Sequence, residues 1–304
     1  MTKLCIGVVG VGRWGRNHVR VLKELKHEGL VSFIAIHDLD FERAISVAAE
    51  FNVDKVFKDL DEFAKHVDAA IIATPIGTLA SIAKTLIEQN IHVLIEKPVA
   101  QNACEAEELY LKARNRNVLA VPGFIMRYNP IAIKLREFVG SYKVHYIIFR
   151  RLSRRPPHAR QYPILLDLAI HDVDLCRYIL RGENIYVESS MIIHSTIDDI
   201  VIAVLRGTTT RCLIHVDGLS LAKIREIEIV GEDIFIRGNT DDLTINVRRS
   251  DGSYFIEKVT GEEEPLKKEV RSFIERLSGK PVEIPTLEDA IEALRILDTI
   301  RRRI

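Results

Sequence analysis

Over the first 122 residues, hydrophobic positions form short, nearly continuous runs that alternate with amphipathic stretches. The apolar runs are Leu4–Val9, Val31–Ile36, Ala69–Ala73, His92–Ile95 and Asn117–Val121. Segments with helical periodicity lie between them, such as His18–Lys26, Phe41–Glu50 and Thr78–Gln89. Buried strands separated by helices of this length are typical of a parallel sheet covered on both faces. The pattern therefore predicts an α/β, doubly wound Rossmann domain over residues 1–122.

The rhythm changes after Tyr128-Asn129-Pro130, where a predicted helix runs to about Val139. Turn sequences such as Asp251-Gly252 then separate eight strand-like segments, and one helix, Ile164–Leu180, interrupts them. The strand-like segments are Val144–Arg150, Ile185–His194, Ile200–Arg206, Arg211–Val216, Ile224–Val230, Ile234–Arg237, Thr244–Val247 and Tyr254–Val259. This part predicts a second, α+β domain over residues 123–304, with a large, open and mostly antiparallel sheet.

Two further helices close the chain. One spans about Pro265–Leu277, and the other covers 286–302 and begins at Thr286, with Asp289 three residues later as its capping partner. The final helix could pack back on the first domain.

Composition narrows the class of protein. The chain is 47% hydrophobic and 28% charged, and its 43 basic residues equal its 43 acidic ones, which gives no reason to expect nucleic acid or a membrane as a partner. No apolar stretch approaches the roughly 20 residues of a membrane helix, so a cytoplasmic protein is expected. Cys5, Cys104, Cys176 and Cys212 form no CxxC pair. They predict small core residues rather than disulfides, and no metal site is expected.

A dinucleotide site is predicted at the first strand-to-helix turn. Gly10-Val11-Gly12-Arg13-Trp14-Gly15 is a GxGxxG sequence whose glycines allow a tight turn and the close approach of a pyrophosphate. Asp38 ends the second strand, where a carboxylate accepts hydrogen bonds from the adenosine ribose. The carboxylate disfavours a 2′-phosphate, so NAD is favoured over NADP, although Arg43 could soften this preference.

Two candidate catalytic groups follow. Lys97, in Glu96-Lys97-Pro98, lies past a strand end at the ligand-binding edge of the sheet, next to a proline that fixes the backbone and can adopt a cis peptide bond. On the helix 164–180, Asp167, His171 and Asp174 are spaced to form one polar stripe with Tyr178, in which a carboxylate could orient the imidazole for acid–base work. The alternatives are a surface lysine and a solvated helix face.

Taken together, these motifs resemble the Gfo/Idh/MocA family of sugar and polyol dehydrogenases over essentially the whole chain. The likeness includes Gly10–Gly15 with Asn17-His18, Ala73-Thr74-Pro75, Glu96-Lys97-Pro98, Arg127-Tyr128-Asn129-Pro130 and the Asp167–Asp174 helix. It departs at Leu79, where many members have His, and at Ala169, where many have Gly.

The resemblance implies a set of roles. Lys97 and His171 would be the catalytic pair, with Asp167 assisting. The cofactor would be lined by Gly10, Gly12, Arg13, Trp14, Gly15, Asp38, Thr74, Pro75, Glu96 and Lys97. Tyr128 and Asp174 would contact the substrate. The free face of the second sheet would form a homodimer or homotetramer.

An arginine-rich segment bears on the substrate. Five arginines lie within residues 150–160, and guanidinium groups suit a diphosphate. Arg154, Arg155 and Arg160 are therefore candidate substrate ligands, and the segment resembles the UDP-N-acetylglucosamine 3-dehydrogenase branch of the family. A solvated loop or a subunit contact is the alternative.

The sequence thus predicts hydride transfer between a sugar-ring carbinol and a nicotinamide. His171 would be the base and Lys97 would stabilise the oxyanion, with the two roles open to exchange. The rivals are a dehydrogenase of a free polyol or monosaccharide, an NAD-responsive regulator without catalysis, and a glycosidase that recycles NAD within each turnover.

Overall fold

The computed structural model describes residues 4–302, and the chain divides into two compact units. The first contains Met1–Phe124 and Leu266–Ile291, and the second contains Ile125–Pro265 and Glu292–Ile304. This division differs from the predicted domains, 1–122 and 123–304, because the helix after Pro265 belongs to the first unit. The reason is its buried face, formed by Leu266, Val270 and Phe273.

The first unit is a six-stranded parallel sheet with strand order β3-β2-β1-β4-β5-β6. The order reverses on either side of β1, and doubly wound sheets bind ligands at the carboxyl ends of the strands beside such a reversal. The elements are β1 (Leu4–Val9), α1 (Arg13–His27), β2 (Val31–His37), α2 (Phe41–Phe51), β3 (Lys55–Phe57), α3 (Leu60–Ala64), β4 (Ala69–Ile72), α4 (Ile76–Glu88), β5 (His92–Glu96), α5 (Ala103–Arg116) and β6 (Ala120–Gly123).

Sequence patterning missed two short elements of this unit, β3 and α3, which have three and five residues. Segments this short carry too few positions for a periodicity to show. The last strand was also predicted too early, at Asn117–Val121. Asn117 instead has φ 53° and ends α5 in the left-handed conformation, so β6 begins only at Ala120.

The second unit is built on an eight-stranded sheet with strand order β14-β13-β12-β11-β7-β10-β9-β8. All neighbours are antiparallel except β7 and β10, which confirms the predicted mostly antiparallel sheet. The elements are α6 (Pro130–Val139), β7 (Val144–Leu152), α7 (Ile170–Ile179), β8 (Tyr186–His194), β9 (Asp199–Arg206), β10 (Arg211–Asp217), β11 (Ile224–Gly231), β12 (Ile234–Asn239), β13 (Thr244–Arg249) and β14 (Tyr254–Lys258). The two closing helices are α8 (Pro265–Leu277) and α9 (Leu287–Arg302), and the predicted Thr286–Asp289 cap precedes α9.

The predicted helix 164–180 consists of two parts. Leu165–Ala169 forms a π-helical turn, and α7 continues from Ile170. Cys176 on α7 and Cys212 on β10 are joined in a disulfide, so the expectation that all four cysteines are unpaired core residues was wrong. Both are fully buried where helix and sheet pack, 36 residues apart in sequence, a proximity that their spacing does not reveal.

No helix within the described range 4–302 is both long and apolar enough to cross a bilayer.

Candidate functional site

The glycine turn between β1 and α1 is shaped for close backbone approach. Gly10 has φ +83°, and a Cβ there would lie 2.7 Å from Thr74 Cγ2. A Cβ on Gly15 would lie 1.8 Å from the carbonyl oxygen of Gly10, so strand and helix meet too closely for any side chain. A Cβ on Gly12, in contrast, would meet no atom of residues 4–302 within 4 Å. Gly12 therefore faces open space at the positive end of α1, which is the cradle that a pyrophosphate requires.

Asp38 fixes this turn from the end of β2. Its carboxylate accepts a 2.7 Å hydrogen bond from the Val11 amide and a 2.8 Å bond from the Asp40 amide. The Arg43 guanidinium donates to the same carboxylate at 2.7 Å. Burial alone would raise the pKa of Asp38, but these three donors outweigh it and lower the pKa below its ordinary value. Asp38 is therefore ionised at neutral pH, as an acceptor for ribose hydroxyls must be.

The neighbourhood of Asp38 fits NAD. Leu39, the next residue, is 95% exposed and offers no cation to a 2′-phosphate. The Arg43 guanidinium, which could have favoured NADP, is bonded to Asp38. The described residues thus fit an adenosine whose ribose hydroxyls are free.

The other predicted cofactor residues lie at the same edge of this sheet. Arg13 and Trp14 are exposed in the first turn of α1. Thr74 and Pro75 follow the end of β4 and lead into α4, where Thr78 Oγ1 bonds Thr74 Oγ1 at 3.0 Å. Leu79, on α4, is 1% exposed and packs in the core of the first unit.

Lys97 follows β5, and its peptide bond to Pro98 is cis, one of the two forms that the sequence left open. Lys97 is half-buried, and its backbone amide donates to Glu96 Oε2 at 3.2 Å. The other carboxylate oxygen of Glu96 lies 2.7 Å from His18 Nε2 on α1. Glu96 was predicted to line the cofactor, but its carboxylate is engaged by the protein itself, beneath the turn that carries Lys97.

In the second unit, the polar stripe divides into two parts. Asp167, in the π-helical turn, and His171, at the start of α7, are half-buried. Arg155 donates to Asp167 Oδ2 at 3.1 Å, so a buried guanidinium holds this carboxylate one helical turn before the imidazole. Asp174 instead is 1% exposed and forms a bidentate ion pair with Arg127. Asp174 therefore packs inside the unit, and its role as a substrate ligand stays a prediction.

The arginines of the segment 150–160 also differ from one another in exposure and in bonding partners. Arg155 is 4% exposed; besides Asp167 it binds Asp198 at 2.8 Å and the carbonyl oxygens of Ala159 and Tyr162. Partners within the protein thus occupy the Arg155 guanidinium, and its role as a substrate ligand stays a prediction. Arg154 is exposed, and Arg160 is half-buried with its Nε bonded to the Arg155 carbonyl oxygen.

Tyr128 and Asn129 belong to a motif that the sequence reasoning had singled out, whereas Asp198, Glu269 and the role of His18 escaped it. Tyr128, a predicted substrate ligand, is 8% exposed in the short 3₁₀ turn Ile125–Tyr128. Its neighbour Asn129 caps α6 and bonds the Thr240 carbonyl oxygen at 3.0 Å, so that motif serves folding as well. Asp198 and Glu269 carried no local signal. For His18, the only hint was its place just after the glycine motif.

Residues 4–124 match a family model described as GFO_IDH_MocA, an oxidoreductase family with an NAD-binding Rossmann fold. The matched range covers all six strands of the first sheet and every element of the dinucleotide cradle.

Two curated relatives are similar to part of the chain. UDP-N-acetylglucosamine 3-dehydrogenase from Acidithiobacillus ferrooxidans is 31% identical over 189 residues, which are 62% of this chain and 58% of the relative. Myo-inositol 2-dehydrogenase from Thermotoga maritima is 29% identical over 219 residues, which are 66% of this chain and 64% of the relative. The chain therefore aligns with less than two thirds of either relative's length.

Solved structures are similar over nearly the full length. UDP-N-acetylglucosamine 3-dehydrogenase from Acidithiobacillus ferrooxidans superimposes with a TM-score of 0.88 at 23% identity, covering 100% of this chain and 98% of that one. Levoglucosan dehydrogenase in complex with NADH and levoglucosan gives 0.86 at 17% identity, covering 99% and 96%. At these identities the likeness establishes the fold, and it confirms the predicted pairing of a Rossmann domain with a mostly antiparallel sheet.

Proposed function

We propose that this chain is an NAD-dependent dehydrogenase of a sugar-ring hydroxyl, because its residues 4–124 match the model of the NAD-binding GFO_IDH_MocA oxidoreductase family. One observation carries this proposal: Lys97 lies at the same sheet edge as the dinucleotide cradle built by Gly12 and Asp38. An ammonium group at that edge serves chemistry beside a bound nicotinamide.

The residues of this chain divide the work as follows. His171 accepts the proton of the substrate hydroxyl, and Asp167, held by Arg155, orients the imidazole. Lys97 donates a hydrogen bond to the same oxygen and stabilises its developing negative charge. The half-buried position of both groups limits competition from water. NAD supplies the hydride acceptor when it is bound.

The substrate class we favour is a nucleotide sugar such as UDP-N-acetylglucosamine. One support is the exposed Arg154 and the half-buried Arg160 in the same short segment, since guanidinium groups suit a diphosphate. The other is the similarity to a relative named UDP-N-acetylglucosamine 3-dehydrogenase. A free polyol is the second candidate, supported by the similar myo-inositol 2-dehydrogenase. A regulator without catalysis would have no need for both Lys97 and His171, and their presence in the chain argues against that alternative.

A substrate comparison tests the proposal. Purified protein with NAD is supplied with UDP-N-acetylglucosamine, UDP-glucose, myo-inositol or glucose, and NADH formation is followed at 340 nm. We expect the highest kcat/KM for the UDP sugars. Preference for myo-inositol would replace the nucleotide-sugar assignment, and glycoside cleavage without net NADH would point to the recycling glycosidase.

Variants of the two catalytic residues test the mechanism. Lys97→Ala and His171→Ala should each lower kcat by roughly 10²–10⁴-fold, because proton transfer and oxyanion stabilisation are lost. Both should still bind NADH, as read from the fluorescence of Trp14, the only tryptophan of the chain, which lies in the first turn of α1. Lys84→Ala, which removes a surface lysine paired with Glu108, is the matched control. Near-normal turnover of both catalytic variants would exclude this mechanism.

We further propose a homo-oligomer that forms through the free face of the eight-stranded sheet. Tyr146, Tyr186, Met191 and Ile193 share that face, and each is at least 42% exposed. Light scattering of the purified protein reports the number of subunits, and a monomer would contradict this assignment.

A further inference from the structure

Three neighbouring strands of the eight-stranded sheet bring a buried ion pair together at one edge. Arg155 follows the end of β7, and Asp198 comes directly before β9. Strand β10 lies between these two strands, and Gly218 directly follows it. Arg155 is 4% exposed and Asp198 is 7% exposed, so most of their ion pair is shielded from water. All three residues belong to the second unit.

Asp198 holds the Arg155 guanidinium along one edge. Arg155 Nε donates to Asp198 Oδ2 at 2.8 Å, and Arg155 Nη2 donates to Asp198 Oδ1. The Asp199 amide donates to the same Oδ1 at 2.8 Å, which ties the carboxylate to the backbone of β9. Burial would raise the pKa of Asp198, but these bonds outweigh it and lower the pKa below its ordinary value. Asp198 is therefore ionised at neutral pH, and the bidentate pair fixes the plane of the guanidinium.

The opposite edge of the same guanidinium reaches the π-helical turn that precedes α7. Arg155 Nη1 donates to Asp167 Oδ2 at 3.1 Å. It also donates to the carbonyl oxygens of Ala159 and Tyr162, at 3.2 and 3.0 Å. Because a guanidinium is rigid and planar, the bonds on its Asp198 edge determine where Nη1 lies. Asp198 thereby sets the place at which Asp167 receives this hydrogen bond.

The loop that carries the candidate substrate arginines is closed around the same side chain. The backbone amide of Arg155 donates to the Gly218 carbonyl oxygen at 3.1 Å, and Arg160 Nε donates to the Arg155 carbonyl oxygen at 2.8 Å. The bonds from Nη1 to Ala159 and Tyr162 complete the closure. A rotation of the Arg155 guanidinium would therefore disturb this loop as well as Asp167.

Gly218 leaves the space that the ion pair requires. A Cβ at this position would lie 2.5 Å from Asp198 Cγ and 2.5 Å from Asp198 Oδ2. Carbon atoms do not approach a carboxylate so closely, so any side chain here would displace the group that holds Arg155. The role of Gly218 thus depends on its small size, and it adds no charge to the network.

We propose that Asp198 is a positioning residue that acts through Arg155, fixing its guanidinium and thereby placing the Asp167 carboxylate and the loop that carries Arg160. No proton or bond is exchanged in this role. The inference rests on the proposed function only in that Asp167 is taken to assist the catalytic base.

Two substitutions disturb the ion pair in different ways. Asp198→Asn keeps the size of the side chain but turns one acceptor into a donor that faces a guanidinium N–H. Gly218→Ala keeps every charge and displaces the carboxylate by contact. Both should lower kcat by roughly 10–10²-fold, since a misplacement of about 1 Å has effects of this size. NADH affinity, read from Trp14 fluorescence, should stay that of the wild type, because the dinucleotide cradle belongs to the first unit.

Asp241→Asn is the matched control in the same unit, because it removes an exposed carboxylate that pairs with Lys223, and its kcat should be unchanged. Circular dichroism confirms that each variant is folded before kcat is compared. If Asp198→Asn does not fold, Gly218→Ala still tests the same contact with all charges retained.

A double variant separates positioning through Arg155 from other effects of Asp198. Arg155→Lys keeps the positive charge and loses the planar fork that Asp198 orients. If Asp198 acts through this fork, adding Asp198→Asn to Arg155→Lys should lower kcat little further, because residues of one network are not additive. A loss of kcat in the double variant equal to the product of the two single losses would contradict the inference.

Hydrogen exchange, measured by mass spectrometry, gives a readout that is independent of turnover. In Asp198→Asn and Gly218→Ala, the backbone amides of residues 155–167 should exchange faster, because Nη1 no longer holds the carbonyl oxygens of this loop. If both variants kept the wild-type kcat, or if exchange over 155–167 were unchanged, the inference would be wrong. If the wild type turned over no sugar, the proposed function would fail, while hydrogen exchange would still decide whether Asp198 positions Arg155.

Discussion

The two units of this protein carry their candidate site residues in different ways. In the first unit, the cradle depends on backbone: the positive φ of Gly10, the missing side chain of Gly12 and the amide of Val11 bonded to Asp38. In the second unit, the candidate site depends on side chains that pair with each other, such as Arg155 with Asp167 and Asp198. A site built from backbone atoms can be recognised from a short stretch of sequence. A site built on ion pairs depends on partners that the fold supplies.

The largest expected effect lies in the second unit, at Arg155. Arg155→Ala leaves the buried Asp198 without its guanidinium, and breaking a buried pair costs about 3–5 kcal/mol. The free energy of unfolding, from urea titration, should fall by this amount, and turnover should fall because Asp167 loses its support.

Arg154→Ala is the matched comparison, one residue away and exposed. Its stability should stay within about 0.5 kcal/mol of the wild type, while the KM for a UDP sugar rises. If Arg155→Ala raised KM alone and left stability unchanged, Arg155 would be a substrate ligand after all, and the contrast between the units would disappear.

A smaller effect is expected at the glycines of the first unit. Gly15→Ala places a methyl group against the Gly10 carbonyl oxygen, and overpacking of this kind costs about 1–3 kcal/mol. Gly12→Ala meets no described atom, so it should cost less than about 1 kcal/mol, mainly through its N-cap position.

Thermal unfolding and NADH titration separate these two variants. Gly15→Ala should lower Tm, whereas Gly12→Ala should keep Tm and lose NADH affinity, because its methyl group occupies the space of the pyrophosphate. Equal NADH affinity of Gly12→Ala and the wild type would argue against a dinucleotide at this turn.

The same contrast explains how far the sequence could be interpreted. Strands such as β1 and β5 were predicted because short, nearly continuous apolar runs between helical segments are typical of buried parallel strands. The cofactor-binding edge of the sheet was then predicted from the positions of the strand ends. The burial of Asp174 in an ion pair could not be predicted, because its partner Arg127 is 47 residues away in the sequence. A helical stripe shows which residues share a face, and it does not show what packs against that face.

Charge alone was the least informative signal. The five arginines within residues 150–160 suggested one substrate-binding surface. In the structure, Arg151 and Arg155 form buried pairs with Asp172 and Asp198, and Arg154 is exposed. Glu269 shows the converse case: its sequence context gives no sign of burial, yet it is 1% exposed in the fold. Neither outcome depends on local sequence, because both depend on which elements pack together.

The smallest expected effect concerns Arg43, where a side chain supports the backbone-built site. Arg43 is 47% exposed, so the loss of its ion pair in Arg43→Ala should cost only about 0.2–1 kcal/mol.

The pH dependence of stability and of NADH binding is more informative than the size of this free-energy loss. The stabilisation from ionised Asp38 is present above its ordinary pKa of 3.8 and is lost as pH falls through the lowered, folded-state value. Without Arg43 that pKa rises, so the acid loss of stability and of NADH binding should begin at a higher pH. Lys65→Ala, which removes an exposed pair with Glu62, serves as the control. If both variants lost NADH binding at the same pH, Arg43 would have no part in holding the Asp38 carboxylate, and the amides of Val11 and Asp40 would suffice.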